Sequence, residues 1–265
     1  MCGPARPDRM LILAGGANAR MGPLSGTIYK AFLPIHGLSC VARHVLRAAA
    51  YGITQVDVVV DAEDPVLHLL AGSSPDGNSP GNGPTVSVRT CPGSPADKIR
   101  WWLGEREADD RALVVCGDTL APVDLWSLWR GSLAGDYDSA LAVVQARLPF
   151  GVVAVDGDRV ERFNDNPVAE LLVSTGHMVL GPQARKLFND GFELEIVLEE
   201  LAAREVLRAC ITAGPFAAVD SLGSLAAAHA TLSAASALTA APMSAGLSEQ
   251  PLSGRGCEIG DAADA

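Results

Sequence analysis

The chain has 265 residues, 48% of them hydrophobic, which is enough for one large domain or two small ones with a sizeable core. Its formal net charge of -11 and its pI of about 4.8 disfavour nucleic acid and anionic membranes as non-specific partners. No N-terminal apolar segment is long enough for a signal peptide or a membrane span, so the sequence predicts a cytoplasmic protein. No cysteine pair has zinc-ligand or redox spacing, so its thiols are expected to be reduced.

Strands and helices alternate along the predicted chain. Short apolar runs predict strands at 11–13, 56–60, 86–88, 113–116, 140–144, 178–180 and 206–211, and a hairpin at 150–163 that turns at Asp156-Gly157. Helical periodicity and cap residues predict helices that begin near 39 and lie at 65–70, 99–103, 124–129, 182–188, 194–204 and 222–232. This alternation predicts an α/β, Rossmann-like fold in which helices flank a mixed, mostly parallel sheet.

The first predicted helix is expected to bury Val41, Val45, Leu46 and Ala49 on one face and to end at Gly52. Residues 72–84 are rich in Gly, Ser, Pro and Asn and are expected to form a mobile loop. Residues 1–232 are expected to form one domain. Residues 233–265 contain few large apolar groups, which predicts a low-complexity, disordered tail.

The stretch from 10 to 35 carries the strongest chemical signal of the sequence. Its apolar strand runs directly into small residues, which let the backbone approach a ligand and offer successive N–H groups to an anion. Arg20 and Lys30 are the nearest cations. The combination favours polyphosphate binding over a bare glycine turn beside solvated charges. The predicted backbone cradle consists of Leu13, Ala14, Gly15, Gly16 and Asn18.

Residues 13–35 resemble, without a gap, the signature of the sugar-1-phosphate nucleotidyltransferases, LAGG-x-G-[TS]-R-x-x-P-L-T-x-x-x-P-K-x-L-x-P-I. Three departures matter: Asn18 stands for the third glycine, Ala19 for a hydroxyl residue and Tyr29 for a proline. Asn18 is expected to keep the turn, because asparagine tolerates left-handed backbone. The chain is therefore identified as a divergent member of this family, which implies a GT-A-like form of the Rossmann-like fold.

A second resemblance covers the strand that ends in Gly117-Asp118, where LVVCGDTLAPVDL is close to the family's L-V-x-x-G-D-x-L-x-x-x-D-L segment. An acid at the carboxyl end of a strand lies where open α/β sheets bind ligands, and it can hold Mg²⁺. The resemblance implies that Asp118 binds Mg²⁺ and Gly117 the nucleotide; a helix-cap or turn aspartate is the alternative. The segment around Asp220 resembles the family more weakly, and this resemblance implies that Asp220 is a second metal ligand. An ungapped alignment instead places Ala218 at the family's metal-binding position.

The segments that resemble the family's acceptor and base contacts are more eroded. Residues 150–167 resemble Y-G-V-V-x-x-D-x-x-G-R-V-x-x-F-x-E-K-P, with an aspartate for the glutamate that touches the sugar and an asparagine for the lysine that touches its phosphate. STGHMVLGP resembles N-A-G-x-Y-V-[FL]-x-P, and the turn at 91–94 stands where the family reads the base. The resemblance implies acceptor contacts at Gly151, Asp165, Asn166, Ser174 and Thr175 and base contacts at Gly93 and Ser94.

The reaction implied by the resemblance is nucleotidyl transfer. The phosphate of a sugar 1-phosphate or a related phosphorylated cyclitol attacks the α-phosphorus of a nucleoside triphosphate, and pyrophosphate leaves. Arg20 would neutralise the leaving pyrophosphate and Lys30 the α-phosphoryl and acceptor oxygens, with Mg²⁺ as the cofactor. The expected partners are the triphosphate and the small acceptor, and the sequence leaves a homo-oligomer open.

Two other classes of protein stay open. A GT-A type glycosyltransferase commonly uses an Asp-x-Asp metal motif, which Asp156-Gly157-Asp158 matches, although these residues fit a hairpin turn better. A non-catalytic nucleotide-sugar binding protein is the other, because several motifs are eroded.

Glucose 1-phosphate is expected to be a poor acceptor, because Asn166 offers hydrogen bonds without a positive charge. The substitution Asn166→Lys should therefore lower the Michaelis constant for this acceptor. Steady-state rates of pyrophosphate release with a panel of phosphorylated sugars and cyclitols measure both effects. If the wild-type protein turns over glucose 1-phosphate faster than every other acceptor, the idea is wrong.

Overall fold

A computed structural model of the chain describes residues 6–16, 18–24, 28–62, 67, 83–107, 110–148, 150–165 and 167–233. Its strands are β1 (Arg9–Leu13), β2 (Pro34–Ile35), β3 (Leu38–Ser39), β4 (Gln55–Val60), β5 (Thr85–Thr90), β6 (Ala112–Cys116), β7 (Thr119–Leu120), β8 (Ser139–Arg147), β9 (Val152–Asp156), β10 (Arg159–Asn164), β11 (Val168–Leu180), β12 (Leu207–Thr212) and β13 (Ala217–Ala218). Its α-helices are α1 (Cys40–Ala50), α2 (Pro95–Leu103), α3 (Leu125–Ser132), α4 (Pro182–Asn189), α5 (Leu194–Ala203) and α6 (Leu222–Ser233), and short 3₁₀ helices lie at Ala19–Leu24 and Lys30–Phe32.

Seven of these strands form a central sheet in the order β12-β8-β11-β6-β1-β4-β5. Every neighbouring pair is parallel except those of β11, which runs antiparallel to both β6 and β8. Strand β1 lies in the middle, with Ile12 opposite Val58 of β4 and Val115 of β6. The predicted α/β, Rossmann-like fold with a mixed, mostly parallel sheet is confirmed.

Both faces of the sheet are covered, which explains why its parallel strands are continuous apolar runs. Alternate residues of β1 enter different cores: Ile12 packs on the face covered by α1 and α3, and Leu11 on the face covered by α2, α4 and α5. A third cluster joins α6 to the segment after the first strand, with Met21 and Val219 fully buried. This last cluster fixes the end of the described chain against the glycine loop.

Helix α1 begins as predicted but buries a different face. The Ser39 hydroxyl caps it by accepting a hydrogen bond from the N–H of Ala42 at 3.1 Å. His44 and Ala48 are buried, whereas Leu46 is 52% exposed and Ala49 is exposed. The prediction for Leu46 and Ala49 was therefore wrong. Histidine is a polar residue type, so the sequence pattern did not place His44 on the buried face of the helix.

The hairpin of β9 and β10 forms at the predicted place, with a shifted turn. Asp156 pairs with Arg159, so the two central residues are Gly157 and Asp158, and the predicted Asp156-Gly157 turn was wrong by one residue. Only Gly157 of these two has a positive φ, at 57°, whereas a type I′ turn needs two such residues.

Other predicted elements differ in length or lie beyond the description. Strand β11 begins ten residues before the predicted 178, because its first half pairs with the far end of β8. The predicted helix at 65–70, most of the loop at 72–84 and the tail beyond 233 lie outside the described residues. Within the described ranges, no helix has the length and apolar character needed to cross a membrane.

Asp57 of β4 is a buried carboxylate on which three elements converge. Its Oδ2 accepts hydrogen bonds from Arg9 Nε at 2.5 Å and from Trp102 Nε1 at 2.8 Å. Asp57→Ala should lower the free energy of unfolding by about 3–5 kcal/mol, because it leaves the partly buried guanidinium of Arg9 and the buried indole N–H of Trp102 without this acceptor. Urea unfolding measures this, with Glu200→Ala as the control. Glu200 forms an exposed i,i+4 pair with Arg204, and its loss should cost less than about 1 kcal/mol.

Candidate active site

A cavity of about 420 Å³ opens at the carboxyl ends of β1 and β6, the edge at which open α/β sheets bind ligands. Nine residues predicted to contact the triphosphate or the metal lie in its wall: Leu13, Ala14, Gly15, Gly16, Asn18, Arg20, Lys30, Asp118 and Asp220. The wall also contains residues that the sequence did not single out as ligands: Ala19, Ala31, Pro95, Cys116, Leu194 and Glu195.

Lys30 lies at the centre of the charged groups. Its ammonium donates hydrogen bonds to the Asp118 carboxylate and to Asp220 Oδ1, the latter at 2.7 Å. Arg20 is 77% exposed and reaches within 3.6 Å of the same Asp220 oxygen. Burial works against the charge on Lys30, but the hydrogen bonds that it donates to the two aspartates outweigh this effect and raise the pKa of Lys30. The Lys30 ammonium in turn lowers the pKa of Asp220.

A short antiparallel ladder brings the two acids together from distant parts of the chain. Strand β13 pairs with β7, and the N–H of Val219 donates to the Asp118 carbonyl at 2.8 Å. The N–H of Asp220 donates to Ser224 Oγ at 2.8 Å, which fixes Asp220 at the start of α6. Ala218 stands in the ladder opposite Thr119 and has no side-chain oxygen. The geometry therefore favours Asp220 over Ala218 as the second acid of the site.

The glycine loop adopts the backbone that its sequence predicts. Asn18 has a φ of 50°, so the departure from glycine is accommodated in left-handed backbone. Its side-chain amide donates to the Ile28 carbonyl at 3.0 Å. Tyr29, which replaces the family's proline, accepts a hydrogen bond on its hydroxyl from the N–H of Ala62 at 3.0 Å. Both departures from the signature therefore have structural partners.

An ion pair that the sequence analysis did not find lies beneath this loop. Lys98 is 3% exposed and donates to Asp61 Oδ1 at 2.6 Å and to the Gly93 carbonyl. Asp61 also accepts a hydrogen bond from the N–H of Gly16, an amide predicted to hold the triphosphate. A Cβ on Gly15 would lie 2.8 Å from both Asp61 Oδ2 and Lys98 Cε, so a larger residue there would force this ion pair to shift. Asp61 directly follows β4, and the rule that ligand sites lie at strand ends could have found it.

The predicted base contacts lie beside the cavity, outside its wall. Ser94 caps α2: its hydroxyl accepts from the N–H of Asp97 and its own N–H donates to the Asp97 carboxylate. Gly117 donates its N–H to the Leu13 carbonyl at 2.8 Å, and a Cβ there would lie 2.9 Å from the same oxygen. The close approach of β1 therefore explains why position 117 is a glycine. For Gly93 and Ser94, contact with the base stays a prediction.

The predicted acceptor residues do not line the cavity either. Gly151 and Asp165 lie at the base of the hairpin, and Asn166 is outside the described residues. The hydroxyl of Ser174 accepts from the N–H of Gly176 at 3.1 Å. Thr175 is fully buried and its hydroxyl donates to the Ala142 carbonyl at 3.1 Å. Contact of these residues with the acceptor stays a prediction.

The donor set at the cavity fits Mg²⁺ when a substrate supplies the remaining ligands. Among the described residues, no group of three or more His, Cys, Asp or Glu side chains is spaced to hold a metal. Mg²⁺ in phosphoryl-transfer sites commonly uses one or two carboxylates together with substrate phosphates, and Asp118 with Asp220 provides two. Burial raises the pKa of the Cys116 thiol to about 12, so it is neutral at physiological pH and provides no thiolate.

A glycine turn, two cations and two acids lie at the carboxyl edge of a Rossmann-like sheet, which is the arrangement implied by the resemblance to the nucleotidyltransferases. The chain belongs to the family of the MobA-like NTP transferase domain, whose profile matches residues 10–210. The predicted membership among nucleotidyltransferases is thus confirmed. No curated protein matches the chain.

Two solved structures share the fold. One, provisionally described as a glucose-1-phosphate thymidylyltransferase from Bacillus anthracis in complex with sucrose, is 18% identical with a TM-score of 0.66, over 84% of this chain and 94% of that one. The other is HddC from Yersinia pseudotuberculosis, 20% identical with a TM-score of 0.61, over 84% of this chain and 99% of that one. At these identities the likeness concerns the fold alone.

The ion pair of Asp220 should stabilise the metal-free protein in a pH-dependent way. Since the Lys30 ammonium lowers the folded pKa of Asp220 below its usual 3.8, this stabilisation is present above that value and is lost as the pH falls through the lowered pKa. The thermal midpoint of Asp220→Asn should therefore lie below that of the wild type at pH 7, and the gap should close in acid. Thermal scans in chelator between pH 2 and pH 7 test this, against Asp158→Asn at the exposed hairpin turn. A gap that widens in acid would contradict the assignment.

Proposed function

We propose that the protein transfers a nucleotidyl group from a nucleoside triphosphate to the phosphate of a small acceptor, a sugar 1-phosphate or a related phosphorylated cyclitol, with release of pyrophosphate. The observation that carries the proposal is the convergence of Arg20, Lys30, Asp118 and Asp220 on one cavity beside the glycine loop. Phosphoryl transfer depends mainly on positioning and on charge neutralisation, and these residues supply both.

Each residue has a distinct part in the proposed reaction. The backbone from Gly15 to Asn18 would hold the triphosphate, and Asp118 with Asp220 would hold Mg²⁺, which supplies positive charge to the phosphates when bound. Lys30, half-enclosed by the cavity, would stabilise charge on the α-phosphoryl group. Arg20, at the exposed mouth, would neutralise the leaving pyrophosphate. No general base is required, because the acceptor phosphate is already an anion.

The glycosyltransferase alternative is less well supported. Its Asp-x-Asp motif would be Asp156 and Asp158, of which the first precedes the hairpin turn and the second lies within it, and neither lines the cavity. A non-catalytic nucleotide-sugar binder remains the other alternative, since the cavity alone does not distinguish binding from turnover.

One assay separates the three classes. The purified protein is incubated with Mg²⁺, each of the common nucleoside triphosphates and a panel of sugar 1-phosphates and phosphorylated cyclitols, and pyrophosphate is measured. Release that requires both substrates supports the proposal. Binding of a nucleotide or nucleotide sugar without any release supports the non-catalytic alternative. Nucleoside diphosphate released in a parallel incubation with nucleotide sugars and the same acceptors supports the glycosyltransferase.

Arg20→Ala and Lys30→Ala should each lower kcat/KM by about 10³-fold or more, because each removes a cation from the phosphates. Circular dichroism and thermal midpoints establish that both variants fold. Lys186→Ala is the matched control: this lysine is exposed on α4, away from the cavity wall, and its loss should leave the rate unchanged. Full activity in either folded cavity variant would rule out the assigned role.

Pyrophosphate release should require Mg²⁺ and should be lost in Asp118→Asn, because an amide oxygen is a far weaker ligand than a carboxylate. Chelator titration and rescue with added Mg²⁺ measure the requirement. The control is Asp124→Asn, whose carboxylate caps α3 through the N–H groups of Trp126 and Ser127 and should affect stability more than rate. An unchanged rate in chelator would disprove the metal assignment.

A further inference from the structure

In the structure, the Lys30 ammonium bonds to the two carboxylates that are proposed to hold the metal. Its Nζ donates hydrogen bonds to Asp118 Oδ2 and to Asp220 Oδ1, the latter at 2.7 Å. The proposed reaction uses the same ammonium on the phosphates and the same acids on Mg²⁺. An ammonium and a divalent cation repel one another at close range, so the two compete for these carboxylates.

The two acids are held close together by their backbones. The Asp118 carbonyl accepts a hydrogen bond from the N–H of Val219 at 2.8 Å, and the N–H of Asp220 donates to Ser224 Oγ at 2.8 Å. Both side chains are partly buried, so salt and water screen their charges less than on an open surface. Two neighbouring carboxylates in such a place repel each other, and a cation that bonds to both relieves the repulsion.

Lys30 combines a fixed backbone with a movable charge. Ala31 and Phe32, which follow it, are buried. The hydroxyl of Tyr29, which precedes it, accepts a hydrogen bond from the N–H of Ala62 at 3.0 Å. The ammonium, in contrast, is a point charge at the end of a flexible four-carbon stem. Rotation within the stem can therefore carry the charge from the acids to a phosphate in the same cavity without any change in the backbone.

We propose that Lys30 competes with the metal ion for the two acids, so that they bind the ion weakly until a triphosphate draws the ammonium away. The inference rests on the proposed function, from which it takes the roles of Lys30, Asp118 and Asp220. It adds that one side chain serves in two alternative positions, as the counter-ion of the acids and as a ligand of the phosphates. Because such coupling is reciprocal, the ion and the triphosphate each strengthen the binding of the other.

Arg20 is a weaker competitor than Lys30. Its guanidinium is 3.6 Å from Asp220 Oδ1, whereas the Lys30 ammonium bonds to both acids. The Arg20 side chain is 77% exposed, against 20% for that of Lys30, so water weakens its attraction to the acid. The cavity thus offers two cations of graded effect for an experiment.

The test is the binding of a metal ion alone to the full chain, without nucleotide. Mn²⁺, which also takes oxygen ligands, is followed by electron paramagnetic resonance, and Mg²⁺ by titration calorimetry. Lys30→Ala should bind either ion about 10-fold or more tightly than the wild type, because the carboxylates lose their competing cation. Arg20→Ala should gain less than this. Lys186→Ala, at an exposed position of α4, is the control and should bind as the wild type does.

Two further variants locate the ion and guard against a folding defect. Lys30→Met keeps most of the apolar stem without the charge, and it should gain affinity as Lys30→Ala does. Lys30→Ala/Asp118→Asn should lose the gain, because an amide replaces one of the two carboxylates. Circular dichroism and thermal midpoints in chelator establish that each variant folds.

Equal affinity of the wild type and both Lys30 variants for the ion overturns the inference. A gain that survives in the double variant also overturns it, because the ion would then bind elsewhere. The wild type decides without the Lys30 variants as well: micromolar binding of Mn²⁺ alone, lost in Asp118→Asn, would show that the ammonium is no obstacle. A gain in ion affinity without any pyrophosphate release refutes the proposed function and supports the competition; release without a gain does the reverse.

Discussion

The Lys30 ammonium, held between the carboxylates of Asp118 and Asp220, is the interaction on which the site depends. The three residues come from separate segments, and Lys30 and Asp220 are 190 positions apart. The interaction requires β1 and β6 to be neighbours, the β7–β13 ladder to close and α6 to begin at Asp220. A single charge cluster therefore couples the first signature segment to the last described helix, and it places cationic and anionic groups together in the cavity wall.

The sequence predicted the parts of the protein in which local pattern and final environment agree. The parallel strands are buried on both faces, so they appear as apolar runs whatever packs against them. Gly16 and Asn18 were identifiable because their positive φ restricts the residue type. Asp118 was identifiable because it directly follows such a strand. These features depend on a few neighbouring residues and need no knowledge of distant contacts.

The remaining features depend on contacts that a single segment does not encode. His44 and Thr175 are polar residues that become almost or fully buried, and their distant partners, the carbonyls of Thr119 and Ala142, help to make this favourable. From the sequence alone, Lys98 would be expected on the surface, and its burial is explained only by its ion pair with Asp61. The length of β11 was missed because Leu171 and Leu172 lie outside the core and follow no burial pattern.

The hydrogen bond from Gly16 to Asp61 has a consequence for nucleotide recognition. If this loop holds the triphosphate as proposed, an incoming phosphate must displace the Asp61 carboxylate from the Gly16 amide or share the amide with it. Lys98, buried against the opposite oxygen of Asp61, limits how far the carboxylate can withdraw. In the proposed reaction, the binding of a phosphate at this amide therefore has to replace an interaction that the loop already makes within the protein.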